Sequence, residues 1–426
     1  MTTLIWAGLA LPDADTPPQT DFAVGVEGNQ IVATGSRQAL RARYPDAAEV
    51  GGDHLLLFPA LINSHDHGRG LGTASLGIPD DLLEIWLPGL WSQPTLDPYL
   101  AAVYDGIRLL RAGVGTTAHS HNPRNWQNVP AEAEATLRGY RDVGIRVAFH
   151  PVIIDQNFLV YDEAASFLAG LPAEVQKIAQ AFLQVALPTP KDYFAMCSDL
   201  FSSYHDTNQH MAHLQVSPAG GQWCSDELIL AAVDFAQLHQ TRVQIHMLET
   251  RYQRHYAYRR WGKSFIQHLD EIGALGPWLT LAHMVWVDEA DLPLLAERGV
   301  GIAHNPSSNL RLRSGIAPLA KMNLAGITTG IGLDGHGLDD DQDYLRELRL
   351  AWTLGNRPGA AEPSVPSQAI WRMGTINGAA ITLGQTARLG KLAPGYLADL
   401  VLFDWQSTWG SWAPEGYPPV TGVADL

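Results

Sequence analysis

Two histidines, His65 and His67, are separated by one residue in the first part of the chain. Residues two apart in an extended strand project to the same side, so both imidazoles can reach one ion while Asp66 points away. Neutral imidazole is a common metal ligand. A single His-x-His pair is equally compatible with histidines at the surface or satisfied in a core, so its interpretation depends on partners elsewhere.

Three more residues of metal-binding type end apolar, strand-like runs later in the chain: His246, His283 and Asp334. Their equivalent positions favour one shared metal site over a chance grouping. A catalytic zinc takes about three protein ligands and keeps a place for water, and it lowers the pKa of that water from about 15.7 to about 7. The residues therefore predict hydrolysis by activated water, without a Ser or Cys nucleophile.

The elements that must position these side chains are short apolar runs alternating with helical stretches. Eight runs are readable: LLLFPALIN, GVGTTAHSH, IRVAFHPVI, MAHLQVSP, RVQIHML, LTLAHM, GVGIAHNP and GITTGIGLD. Between them, 97–111 has apolar residues near helical spacing and ends at Gly113, and 225–239 begins with the Ser-Asp-Glu signal of a helix start. Eight buried parallel strands alternating with helices predict an α/β fold, a (β/α)8 TIM barrel, whose active site lies at the carboxyl ends of the strands.

Both ends of the chain have a different, β-rich character. TLIWAGLALP and FAVGVEGNQIVATG alternate apolar and polar residues, and LGKLAPGYLADLVLFDW repeats that character near the carboxyl end. We predict a small β-sandwich domain built from residues 1–56 and 383–426, with the metal-dependent hydrolase barrel at 57–382. We expect its carboxyl-terminal part to be shortened or truncated, because the chain stops soon after Asp399.

Composition narrows the possible partners. The 426 residues carry 44 acidic and 28 basic side chains, a net charge of −16, which argues against a nucleic-acid polymer as partner. No apolar stretch reaches the roughly 18 residues that cross a bilayer. Two cysteines and no recognisable leader predict a protein of the cytoplasm. We expect a small-molecule substrate and a homo-oligomer.

The motifs together resemble the amidohydrolase superfamily, and within it the mononuclear deaminase-like branch that includes chlorotriazine hydrolases and cytosine, guanine and S-adenosylhomocysteine deaminases. The resemblance covers nearly the whole chain and rests on six segments: FPALINSHDH, HMLE, LAHMVW, HNPSSNLRLRSGIAPL, GIGLDG and GKLAPGYLADLVLFD. These segments are specific for the family but not for a substrate. The cluster GLDGHGLDDDQD departs from many members of this branch, which argues against copying one relative's substrate.

The resemblance implies that one divalent ion is bound by four residues: His65, His67, His246 and Asp334. Members with two metals often carry a carboxylated Lys on strand four, and the fourth run, MAHLQVSP, has no Lys, so one ion is favoured. We expect Zn2+, with Fe2+ or Mn2+ as alternatives, because imidazole and carboxylate suit several first-row metals.

The resemblance also implies three catalytic roles. His283 holds and polarises the attacking water, and Asp334 acts as general base that later delivers the proton to the leaving group. Glu249 resembles the acid that protonates a ring nitrogen in aromatic deaminases. The alternative for Glu249 is a solvated carboxylate at the start of a helix.

Five residues are predicted to bind substrate: Gln215, Trp86, His121, Asn305 and His336. The amide of Gln215 offers donors and an acceptor, although packing or bracing a loop is an equal alternative. Trp86 either stacks on a flat heterocycle or belongs to the core of the segment that covers the cavity. The other three lie at or beside strand ends, where a structural role is as compatible as a functional one.

Three functions are compatible with these residues. The first hypothesis is an aminohydrolase that releases ammonia or an amine from a nitrogen heterocycle. The second keeps the metal chemistry but cleaves an amide, urea or carbamate-like C–N bond. The third is a scaffold without activity, which the presence of all four metal-binding residues disfavours.

Overall fold

The computed structural model describes residues 1–123, 126–183, 187–206, 211–359, 361–405 and 407. The strands are β1 Thr3–Ala10, β2 Gln19–Glu27, β3 Gln30–Ser36, β4 Ala48–Pro59, β5 Leu61–Asn63, β6 Val114–His121, β7 Arg146–Ile153, β8 Ala212–Leu214, β9 Ser217–Pro218, β10 Val243–Met247, β11 Leu279–His283, β12 Gly301–His304, β13 Thr329–Ile331 and β14 Leu400–Asp404. The helices are α1 Arg37–Arg43, α2 Leu83–Trp91, α3 Pro98–Arg111, α4 Val129–Val143, α5 Ala164–Ala169, α6 Ala173–Leu183, α7 Pro190–Tyr204, α8 Asp226–His239, α9 Arg251–Trp261, α10 Phe265–Glu271, α11 Leu292–Glu297, α12 Pro306–Arg311, α13 Leu319–Leu324, α14 Tyr344–Gly355, α15 Ser367–Gly374 and α16 Ile376–Leu383. Short 3-10 helices cover Thr73–Leu76, Trp126–Asn128 and Glu289–Asp291.

Two parallel sheets close on each other to form the predicted barrel. Strands β5, β6, β7 and β8 pair in that order, β9 also pairs with β7, and β10 to β13 form the second sheet. At one seam the backbone N–H of Gln244 donates to the Val216 carbonyl at 3.2 Å, and at the other the N–H of Ser64 donates to the Ile331 carbonyl at 2.8 Å. The (β/α)8 architecture is therefore confirmed, with all strands pointing the same way.

The first barrel strand is shorter than the run LLLFPALIN predicts. Residues 55–59 belong to β4, which pairs with β14 and β1, and only β5 enters the barrel. Ala60 lies between the two strands and donates its N–H to the Asp399 carbonyl at 2.9 Å. The run is split because an apolar stretch can be buried in either sheet, and β4 continues past the boundary predicted at residue 56.

Strands from both ends of the chain share a five-stranded sheet in the order β14-β4-β1-β2-β3. Helix α1 covers one face, where Leu40 packs on Leu4 and Trp6. The ion pair Arg146–Asp399 joins this module to the barrel, with Nη2 and Oδ1 2.9 Å apart. Residues 408–426, the end of the predicted carboxyl-terminal part, lie outside the described residues.

Both predicted helices are present; Ser225 is the expected cap, and the cap at Asp97 is added by the structure. Asp97 accepts the N–H of Leu100 at 2.9 Å at the start of α3, and Ser225 accepts that of Leu228 at 3.2 Å at the start of α8. Among the described helices, none combines the length and the apolar character needed to span a bilayer.

Candidate metal centre

Side chains from four barrel strands converge at the carboxyl ends of the strands. One ligand atom each of His65, His246, His283 and Asp334 lies within 4.8 Å of the other three. The Nε2 of His67 lies 3.2 Å from Nε2 of His246 and 3.2 Å from Oδ1 of Asp334. The structure therefore brings together all four predicted metal-binding residues, and His283 with them.

The outer ring nitrogen of each predicted histidine ligand faces an oxygen atom. These Nδ1 contacts are His65 to Gln244 Oε1 at 2.5 Å, His67 to the Ser120 carbonyl at 3.0 Å, and His246 to the Ala219 carbonyl at 2.6 Å. An oxygen at Nδ1 requires the proton there, so each neutral ring directs the lone pair of Nε2 into the centre.

This arrangement fits a bound cation. The Nε2 atoms of His67 and His246 face each other, and Nε2 of His65 lies 3.3 Å from Oδ1 of Asp334. Lone pairs and a carboxylate oxygen at such distances repel each other unless a positive charge lies between them. A divalent ion with imidazole and carboxylate ligands supplies that charge.

Gln244 is a contributor that sequence reasoning missed. Its Oε1 accepts from Nδ1 of His65 and lies 3.1 Å from Nε2 of His150, while its Nε2 donates to the Ser64 carbonyl at 3.0 Å. The available signal is its position two residues before His246 on β10, because residues two apart share a face of a strand.

The carboxylate of Asp334 is held in its ionised form. Burial by itself raises the pKa of Asp334, but protonated His65 and His67 rings facing Oδ1 reverse this and hold the pKa well below its usual value. A cation bound between neutral rings favours the ionised carboxylate in the same way. Its Oδ2 also accepts the hydroxyl of Ser308 at 2.6 Å. The group is therefore available as a ligand and as a proton acceptor.

Backbone strain marks three of the strand ends. Leu248, His283 and Asp334 have φ values of 52°, 74° and 59°, in the left-handed region that side-chain-bearing residues rarely adopt. Such strain costs about 1–3 kcal/mol per residue and concentrates at functional sites. In this barrel the strained residues are the one after β10, the last one of β11 and one that follows β13. The predicted catalytic groups are placed at these same strand ends.

Glu249 lies beside the converging ligands rather than in solvent. Its Oε2 is 3.6 Å from Nε2 of His283, and its Oε1 is buried without a hydrogen-bond partner among the described residues. Burial, then the charges of Asp334 and Glu84, raise the pKa of Glu249 well above its usual value. The solvated-carboxylate interpretation is not met, and the group is poised as a neutral acid.

His283 faces both carboxylates. Its Nε2 lies 3.6 Å from Oε2 of Glu249 and 4.0 Å from Oδ2 of Asp334, while its Nδ1 lies 3.0 Å from Oδ1 of Asn309. Burial lowers its pKa to about 4, so the ring is neutral. Asn305, predicted to line the pocket, contacts the same Nδ1 through its amide nitrogen at 3.2 Å and therefore braces His283.

Trp86 and His336 pack against each other. Their rings are 5.4 Å apart, and Trp86 is buried with Leu90 and Leu312 in an apolar cluster of its own. The Nε2 of His336 lies 3.0 Å from Oδ1 of Asp80, without the alignment of a good hydrogen bond. Burial lowers the pKa of His336 to about 4. The contact joins the segment after the first barrel strand to the loop after the last one.

Two predicted substrate-binding residues are placed differently. The amide nitrogen of Gln215 donates to the Thr382 carbonyl at 2.6 Å, at the end of α16, and this favours the bracing role. The Nε2 of His121 lies 3.1 Å from Oε2 of Glu132 in α4. Strand periodicity indicates which residues share a face, but not which neighbour each side chain meets.

A closed βα barrel whose strand ends direct histidine and aspartate side chains to one point defines a metal-dependent hydrolase of the TIM-barrel class. The chain belongs to the amidohydrolase family, whose profile matches residues 56–425. A second profile, described as an imidazolonepropionase-like composite domain of bacteria, matches residues 23–47.

Relatives and solved structures support this membership. The chain is 29% identical over 387 residues to the 5-methylthioadenosine/S-adenosylhomocysteine deaminase of Syntrophobacter fumaroxidans, covering 90% of this chain and 80% of the relative. An adenosine deaminase from Xanthomonas campestris with bound zinc superposes with a TM-score of 0.80 at 24% identity, covering 99% of this chain and 90% of the other. The atrazine chlorohydrolase of Arthrobacter aurescens with zinc gives a TM-score of 0.81 at 23% identity and the same coverage.

Proposed function

We propose that the protein is a metal-dependent aminohydrolase that releases ammonia or an amine from a nitrogen heterocycle. One divalent ion, Zn2+ in our proposal, is held by four residues: His65, His67, His246 and Asp334. The proposal is supported by the convergence of these side chains and by relatives that are named as deaminases of adenosine derivatives. Solved structures of the same fold contain zinc.

The reaction divides between two carboxyl groups. When bound, the ion acts as a Lewis acid that lowers the pKa of the attacking water. Asp334 takes a proton from this water and delivers it to the leaving nitrogen. Glu249 donates the proton of its carboxyl group to a ring nitrogen, which makes the neighbouring carbon electrophilic. The second proton of the attacking water returns to Glu249 when the leaving nitrogen departs and the carbonyl forms. Nε2 of His283 orients the water between the two carboxyl groups.

The observation that carries this proposal is the opposite tuning of those two groups. The pKa of Asp334 is held well below its usual value, whereas burial and the charge of Asp334 hold that of Glu249 well above. Pairs of titratable groups whose environments separate their pKa values serve as base and acid in catalysis. An amide hydrolase has less need for the second, neutral acid.

The proposal is tested with purified, zinc-loaded protein and a panel of purines, adenosine derivatives, pterins and triazines. Ammonia or amine release and metal content are measured for the wild type, His246→Ala and the control His255→Ala. His255 is exposed on α9, so its loss should change neither. We expect His246→Ala to lose both bound metal and turnover. Full turnover without metal would overturn the proposal, as would cleavage of amides but of no heterocycle. The cytoplasmic location and the homo-oligomer stay predictions.

A further inference from the structure

Arg69 is a half-buried cation on the wall of the candidate site. It follows His67 by two residues, and its guanidinium carbon lies 5.1 Å from the centre of the Trp86 ring. Its Nη1 donates to the backbone carbonyl of Asp334 at 3.0 Å. Arg69 therefore contacts both a metal-binding residue and helix α2, which carries Trp86.

Unlike its neighbours, Arg69 has no carboxylate of its own. Arg311 pairs with Asp80, its Nε and Oδ2 2.8 Å apart, and with Asp340. Within the described ranges no carboxylate oxygen lies within 4.0 Å of the Arg69 guanidinium, and only one of its N–H groups is in a hydrogen bond with the protein. A guanidinium presents five N–H donors in a planar fork. Most of this fork is free for a ligand.

Trp86 adds a second donor at the same place. The side chain is 4% exposed, and its indole Nε1 is buried without a hydrogen-bond partner in the described part of the chain. A buried donor without an acceptor costs about 1–3 kcal/mol, so native proteins rarely keep one unless a water or a ligand completes it. A guanidinium over the Trp86 ring, with an unpartnered indole N–H on the same side chain, favours an acceptor that carries negative charge.

The nearby acids do not neutralise this cation. The carboxylate of Asp334 already faces Nε2 of His65, Nε2 of His67 and the hydroxyl of Ser308. Asp66 accepts the backbone N–H groups of His67 and Gly68 and the side-chain amide of Asn63. Asp334, Asp66 and Glu249 act on Arg69 only through their charge, and within the described ranges none of them pairs directly with its guanidinium.

We propose that Arg69, with the indole N–H of Trp86, binds a planar anionic oxygen group of the substrate. That group is either an exocyclic carboxylate or the enolate oxygen of an acidic heterocycle, both of which match the guanidinium fork. This inference rests on the proposed function and narrows it, because a neutral nucleoside base offers no such group. The competing interpretation is that Arg69 only braces the Asp334 carbonyl.

The test uses ligands without an amino group, so that no turnover occurs during binding. Calorimetric titration of zinc-loaded protein compares 6-carboxylumazine with 6-hydroxymethyllumazine, and xanthine with hypoxanthine at a mildly alkaline pH at which only xanthine has lost a ring proton. The first pair reports a carboxylate and the second an enolate. The proteins are the wild type, Arg69→Met, Arg69→Lys and the control Arg298→Met, whose side chain pairs with Asp270 at the surface.

We expect the wild type to bind the anion of at least one pair about tenfold or more tightly than its neutral partner, as for a charge-assisted bidentate contact. Arg69→Met should abolish this preference, Arg69→Lys should retain part of it, and Arg298→Met should leave it unchanged. Zinc content is measured in each protein, because an anion held by the ion keeps its preference in Arg69→Met, and that result overturns the inference.

Failure of this inference is distinguishable from failure of the proposed function. Ammonia release from the substrate panel with no anion preference in the binding assay overturns the role of Arg69 and leaves the deaminase proposal intact. An anion preference that depends on Arg69, without turnover of any heterocycle, supports the role of Arg69 and overturns the deaminase proposal. Absence of binding by both anions also overturns the inference.

Discussion

At the scale of single residues, the site depends on two carboxyl groups in different surroundings. Asp334 shares the ligand cluster with His65 and His67 and accepts the Ser308 hydroxyl, and a cation in that cluster together with this hydrogen bond favours its ionised form. Glu249 is enclosed, and its Oε1 has no partner within the described residues, which favours its neutral form. Both groups are carboxyls, so the difference between their expected roles comes from their environments.

Glu249→Gln should leave the metal bound and lower turnover by about 10²- to 10⁴-fold, the usual contribution of a general acid. The amide has nearly the same shape but has no acidic proton to give to a ring nitrogen. Metal analysis and ammonia release on the best substrate of the panel measure the two effects. Glu297→Gln, at an exposed carboxyl on α11, is the matched control. Full activity of Glu249→Gln would disprove ring protonation by this residue.

At the scale of elements, helix α14 positions the turn that contacts the general base. Glu347 in α14 accepts the backbone N–H of Ser307 at 2.9 Å and also its hydroxyl, at the start of α12. The next residue, Ser308, donates to Asp334. Burial raises the pKa of Glu347 from 4.5 to about 7. A buried acid thus connects an outer helix to the rim of the site.

Glu347→Gln should lower the free energy of unfolding by about 1–3 kcal/mol at pH 5, because the amide has two N–H donors where the protonated carboxyl has one O–H, and the extra buried donor lacks an acceptor. Between pH 4.5 and about 7 the unfolded wild type loses a proton that the folded protein keeps, so wild-type stability falls as the pH rises through this range. The variant lacks this contribution, and the difference between the two proteins should shrink by pH 7.5. Urea unfolding at both pH values measures the difference in unfolding free energy between wild type and variant. A difference that does not change with pH would contradict a raised pKa of Glu347.

At the scale of the whole molecule, the predicted metal ligands come from both sides of the seam at which the first and last barrel strands meet. His65 and His67 follow the first barrel strand, and Asp334 follows the last, where its backbone N–H donates to the His65 carbonyl at 2.9 Å. His246 adds the fifth strand. An ion shared by these groups links the two parallel sheets and joins the first strand to the last.

Zinc should therefore raise the melting temperature of the metal-free protein, because a ligand that binds only the folded state stabilises it by about 2.7 kcal/mol at a concentration 100 times its Kd. Differential scanning calorimetry of chelator-treated protein, with and without added zinc, measures the effect. His246→Ala should show a much smaller shift, and His255→Ala the full one. Equal shifts in all three proteins would place the stabilising zinc elsewhere.

Local pattern was enough to predict much of this molecule. Apolar runs with polar ends predicted eight barrel strands, and two helices were predicted, one from apolar spacing over 97–111 and one from the cap at Ser225. The barrel topology then places residues distant in sequence at one end, so the convergence of His65, His246 and Asp334 follows from strand order. These features depend on burial and backbone geometry, which are written in short stretches of sequence.

Only the tertiary structure decided which neighbour each side chain meets. In the structure, Gln215 donates to the Thr382 carbonyl and the His65 ring contacts Gln244. Arg69 lies beside Trp86 and pairs with no carboxylate among the described residues. These contacts join segments far apart in the chain, and they depend on strand tilt, on seam register and on where the run at Ala60 divides between two sheets. Periodicity specifies a face of an element, whereas a contact needs the position of two elements relative to each other.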